Sequence, residues 1–111
     1  MGAIVIKNDL IISILNQGYS DAFMAVARKA GARGGTVLSA RGISRQMVKK
    51  FLGISVQDEK EIILILSARK KRAAIMRAVH KSFGAATKAA GVVFSLPVDQ
   101  VMSLSEPLLN F

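Results

Sequence analysis

The sequence predicts an α+β fold, a βαββαβ sandwich in which a four-stranded antiparallel sheet carries two helices on one face. Three observations predict it. Four short runs are rich in aliphatic and β-branched residues, two stretches keep helical periodicity, and each helical stretch lies between two of the runs. At 111 residues the chain is expected to form one domain over residues 1–111 around a single core.

The first strand is Leu10-Ile11-Ile12-Ser13-Ile14-Leu15, closed by the turn residues Asn16-Gln17-Gly18. Ser20 or Asp21 is placed to cap a helix whose stripe is Phe23, Val26, Ala27 and Ala30. Arg28 and Lys29 suit its carboxyl end, and Gly31 or Gly34 stops it. Thr36 to Ala40 reads as the second strand. Residues 43–60 contain many charges and little period-two order, and read as a loop, with Met47, Val48, Phe51 and Leu52 able to form one helical turn. Ile62 to Leu66 is the third strand. After Arg69-Lys70-Lys71-Arg72, helical spacing returns at Ile75, Ala78, Val79 and Ser82. Gly84 and Gly91 bracket a loop of small residues, and Val92 to Leu96 forms a fourth strand halted by Pro97. This is the ferredoxin-like order.

Composition narrows the function. Hydrophobic residues make up 51% of the chain and mean hydropathy is +0.39, which excludes disorder despite a net charge of +9. The longest aliphatic run, Ile62 to Leu66, is far too short to cross a membrane. There is no Cys for a disulfide, thiolate metal site or nucleophile. His80 is the only His, and no acid occurs between Glu61 and Asp99 to orient it as a base. No catalytic residue and no metal site is expected, and a cytoplasmic location is. Because three of the strands are apolar on both faces while two helices cover only one, another copy of the chain is the simplest cover for the second face.

The positive charge is patterned. Residues 22–57 and residues 62–98 each carry +7 with no acid, which would attract anions. Phe94 is the only aromatic in a strand, so the sheet offers little for base stacking and nucleic acid is disfavoured as a partner. A small phosphate-bearing molecule is easier to satisfy, with the small residues of the 84–91 loop allowing close approach and Lys88 as counter-charge.

Gly34-Gly35-Thr36-Val37 leading to Arg41-Gly42, then Lys60 to Leu66, then Gly91 to Val98 together resemble the PII signal-transduction family, the nitrogen regulatory proteins. The resemblance covers roughly residues 10–104, and Asn16 to Asp21 is similar to a PII-like subgroup. It implies a compact homotrimer whose three sheets enclose the centre. It implies adenine nucleotide, and in many members 2-oxoglutarate, bound in clefts between subunits, and a loop after the second strand that touches a transporter or enzyme. The family's Gly-Arg-Gln falls on Ser44-Arg45-Gln46, where Gln46 matches the glutamine that helps hold magnesium and 2-oxoglutarate. The family's Asp-Gly-Lys phosphate contact reads Ala90-Gly91-Val92 here, and two arginines after the last strand fall on Ser103 and Ser105. Lys88, Arg41 and Arg45 are the substitute cations. The expected ligand site is thus Arg41, Gly42, Ser44, Arg45, Gln46, Lys88 and Gly91. The expected function is a sensor of a small anionic metabolite that regulates a partner protein. The alternative is an RNA- or polyanion-binding ferredoxin-like module.

Overall fold

The computed structural model describes residues 7–42, 49–51, 54–56 and 58–102; for 49–51 and 54–56 it describes the backbone. Eight elements follow one another: β1 (Asn8–Asn16), α1 (Ser20–Lys29), β2 (Thr36–Gly42), β3 (Lys49–Phe51), β4 (Ile54–Val56), β5 (Asp58–Ala68), α2 (Arg69–Phe83) and β6 (Val92–Val98). β2, β5, β1 and β6 form one antiparallel sheet in that order, with two helices, which is the ferredoxin-like βαββαβ arrangement.

Period-two alternation decides what each face of the sheet does. Odd-numbered Ile11 and Leu15 of β1 and Ile63 and Ile65 of β5 turn toward the helices and are fully buried. They meet Phe23 and Ala27 from α1 and Ile75, Val79 and Phe83 from α2. The helix stripe is therefore Ile75, Val79 and Phe83, while Ser82, expected on it, is exposed. Phe83 joins the layers, with its ring 5.4 Å from that of Phe23 and edge-on to Tyr19 at 6.5 Å. Each fully buried large aliphatic or Phe contributes about 1.5–3 kcal/mol.

The opposite face carries even-numbered residues in register. Leu66, Leu10 and Leu96 form one row, Leu64, Ile12 and Phe94 a second, and Leu38, Ile62, Ile14 and Val92 a third. No described element covers this face, and Leu38, Val92, Phe94 and Leu96 are 40–55% exposed.

Several boundaries differ from the sequence expectation. β5 runs from Asp58, because its charged start pairs with β2 and with the end of β1. The span 43–60 is thus not all loop. β3 and β4 pair with each other inside it, and Phe51 is in a strand rather than a helical turn; Met47, Val48 and Leu52 lie outside the described residues. Pro97 does not end β6. β6 is an edge strand with β1 as its one neighbour, so a residue without an N–H is tolerated there. Tyr19, with no side-chain hydrogen bond to the helix, holds the position before α1, and Ser20 is already helical; Asp21 in the first turn favours the helix dipole instead. At the other end Gly31, φ 122°, is the residue that stops α1: its N–H bonds Arg28 O and that of Ala32 bonds Ala27 O.

Candidate functional site

One end of the sheet gathers the carboxyl ends of β1 and β2, the start of β5, the start of β6 and the 84–91 loop that follows α2. Asn16, the last residue of β1, fastens these parts. Its Nδ2 donates to Lys88 O at 3.0 Å, its Oδ1 accepts from Lys60 Nζ at 2.6 Å, and its backbone N–H donates to Ala89 O at 2.9 Å. The next two residues continue the seam: Gln17 N–H donates to Glu59 O at 3.2 Å and Gly18 N–H to Glu61 Oε1 at 2.7 Å. A lysine held by a neutral amide keeps its whole charge for another partner.

Arg41 is exposed near the end of β2, in register with Glu59, and Gly42 is in register with Asp58. Arg41, Lys60, Glu59, Gln17, Ser39 and Ala40 line a groove of about 290 Å³. Arg41 has no ion pair among the described residues, with Glu59 or any other acid, so the guanidinium is available to an anion.

The 84–91 loop holds itself together by Thr87 Oγ1 donating to Gly84 O at 2.7 Å and by Thr87 and Ala90 N–H bonds to Gly84 O and Thr87 O. It turns at Ala90, whose φ of 48° is left-handed, a strained setting for a residue with a side chain. The Gly91 amide is already committed to Phe83 O at 2.8 Å. A Cβ on Gly91 would stand 2.4 Å from that same oxygen, so the glycine is required by packing as well as placed beside the loop. We expect Gly91→Ala to lower stability by about 1–3 kcal/mol, read as a denaturation midpoint. Gly34→Ala, with nothing within 4 Å of its Cβ, should leave the midpoint unchanged or raise it. The amides of Ala85, Ala86 and Lys88 make no hydrogen bond among the described residues, and these three residues are exposed. They suit an anion.

The fold therefore brings Arg41 and Gly42 to the same end of the sheet as Lys88 and Gly91. Ser44, Arg45 and Gln46 lie outside the described residues. Val92, where the family has its lysine, is a member of the apolar rows on the uncovered face. Asn16 and Lys60 are the additions. Asn16 reads as a turn residue and Lys60 as one charge among several, and only the strand register puts them in contact. Among the described residues, no group of three or more His, Asp or Glu comes together to hold a metal, and no helix is long and apolar enough to cross a membrane.

A four-stranded antiparallel sheet with two helices serves many unrelated functions, so the class of protein is decided by its family. The family model for nitrogen regulatory protein P-II matches residues 8–106, and the chain belongs to that family. A crystal structure described as a PII-like signaling protein from Thermus thermophilus is similar with a TM-score of 0.63, over 84% of this chain and 87% of that one. At 13% identity that likeness carries the fold alone. No curated protein matches the sequence.

Proposed function

We propose that the chain is a trimeric sensor of the cytoplasm: it binds a small anionic metabolite, with an adenine nucleotide the first candidate, between subunits and passes its state to a partner protein. The observation that carries this reading is the uncovered sheet face. Its apolar rows cross three strands and, in the Leu38 row, all four, and at ~25 cal/mol per Å² burial of several hundred Å² per subunit offers on the order of 10 kcal/mol before association costs. A second copy supplies the same kind of surface, and family membership supports three copies around a centre.

Burying this face sets the loop end of each sheet beside a neighbour. Arg41 and Lys60 on the groove and Lys88 with the outward amides of its loop would then hold the anion. Because a lysine is missing at Val92, fewer charges meet a terminal phosphate than in the family's usual site, so a diphosphate, monophosphate or carboxylate is favoured relative to a triphosphate. The span 43–57, between β2 and β5, is the surface proposed to meet the regulated transporter or enzyme.

Calorimetric titration with ATP, ADP, AMP and 2-oxoglutarate, each with and without magnesium, tests the reading. Saturable binding selective for one of them is expected, and Arg41→Ala with Lys88→Ala should weaken it by about tenfold or more. Equal, weak, salt-quenched uptake of all four would contradict it.

A further inference from the structure

Seven cations that the ligand end does not use lie in or next to the last turn of α1 and the first turn of α2, at the other end of the helix layer. A Cβ on Gly31, just past α1, would stand 3.4 Å from the Lys71 side chain, so the end of α1 adjoins the first turn of α2. This brings the segment that carries Arg28, Lys29 and Arg33 to the segment that carries Lys70 and Lys71, and none of these five has an ion pair among the described residues. Arg69 and Arg72 stand next to them, held from beneath by the buried Asp9 carboxylate, with about two-fifths of each side chain exposed. No acid lies in the first turn of α2. Lys70 and Lys71 there oppose the dipole of α2, while Arg28 and Lys29 suit that of α1, so it is the α2 half of the corner that costs stability where it stands. A surface shaped for stability alone would carry acids at this position.

We propose that this corner binds the phosphate backbone of a nucleic-acid duplex, without reading its sequence. The chemistry of the corner selects among polyanions. Among the described residues the large exposed apolar side chains lie on the sheet strands and at Met102, so the corner has no apolar anchor for a bilayer or for a protein hot spot. It has no aromatic platform for the bases of a single strand, since the described rings of the helix layer, Tyr19, Phe23 and Phe83, pack together at its far end and are buried or half-buried. What it offers is arginine and lysine in two rows set by the helix spacing of about 8–10 Å, a dimension comparable with the width of a duplex groove. The expectation against nucleic acid rests on the sheet, and this is a different surface with a different mode of contact.

Fluorescence anisotropy of the full chain with a labelled duplex of about 24 base pairs tests the proposal. The expected result is micromolar binding at low salt, with a slope of log K against log salt of about −4 between about 50 and 200 mM. Arg33→Ala with Lys70→Ala should lower affinity by about tenfold and reduce the slope by about two. Ala22→Glu with Ser82→Glu removes the same net charge at the far end of the helix layer, at exposed positions, and should leave affinity within about twofold. The thermal midpoint of the corner variant should be no lower than that of the native chain, because one of its substitutions relieves the helix dipole, which separates lost binding from lost folding. Equal loss in both variants would overturn the proposal, as it would mean that total charge alone is sensed. Tighter binding to a single strand, or to vesicles containing phosphatidylserine, would overturn it as well.

Discussion

Ile12→Glu should give a folded monomer. Ile12 lies at the middle of the uncovered face, in register with Leu64 on one side and Phe94 on the other. In a lone subunit the new carboxylate meets water, and the core on the other face of β1 is untouched. In an assembly that buries the face, it becomes an uncompensated charge in an apolar contact, at a cost of about 3–5 kcal/mol per subunit. The concentration needed for assembly should rise more than a thousandfold, by the rule that about 1.4 kcal/mol is a factor of ten. Circular dichroism should stay native while sedimentation reports single subunits. Ile11→Glu, one residue away, should do the opposite kind of damage. Ile11 is fully buried under the helices, so the same substitution there should unfold the subunit itself.

Asp9→Ala should produce the second large effect. Asp9 is fully buried at the start of β1, in register with Ser67 and Pro97. Arg69 Nε donates to both carboxylate oxygens at 3.1 and 3.2 Å and Arg69 Nη2 to Oδ1 at 3.1 Å, while Arg72 Nη1 adds a bond of 3.3 Å. These bonds tie the first turn of α2 to the sheet, where Arg69 N–H also donates to Lys7 O at 2.9 Å. Removal of one partner from a buried pair costs about 3–5 kcal/mol, but both arginines are partly exposed and can rehydrate, so a loss of about 2–3 kcal/mol is expected. For a chain of this size that lowers the thermal midpoint by roughly 10 °C at fixed protein concentration. Arg69→Ala in the Asp9→Ala background should cost less than Arg69→Ala alone, because the two residues act as a unit.

The parts of the fold that could be read from the chain are those where one residue's environment follows from its neighbours. The Phe23, Val26, Ala27 stripe marks α1, and the nearly all-apolar runs of β1 and β5 signal a sheet that needs cover on both faces. Asp58-Glu59-Lys60-Glu61 is not legible as strand, since charged residues have low β propensity and it is pairing with Gly42 to Ser39 of β2, and of Lys60 and Glu61 with the end of β1, that holds them extended. Pro97 misleads for a related reason: whether a proline breaks a strand depends on whether that strand is an edge, which is a property of the whole sheet.

The site divides in the same way. Arg41, Gly42, Lys88 and Gly91 could be chosen because family likeness marks them. Asn16 and Lys60 are 44 residues apart, and Asp9 and Arg69 are 60 apart. Neither pair has a local signature, and both exist because the antiparallel register, or the turn from β5 into α2, closes the distance. The cationic corner is intermediate. Each half is visible as a run of charge, but that the halves adjoin depends on how α1 and α2 lie against each other.

The claim on which the rest depends is that the aliphatic sheet face is buried between copies of the chain. Static light scattering coupled to size-exclusion chromatography, at micromolar protein, measures it most directly. The expected mass is about three times the subunit's 11.9 kDa. A single species at 11.9 kDa, unchanged as concentration rises, would contradict both the buried face and a ligand site that needs two subunits.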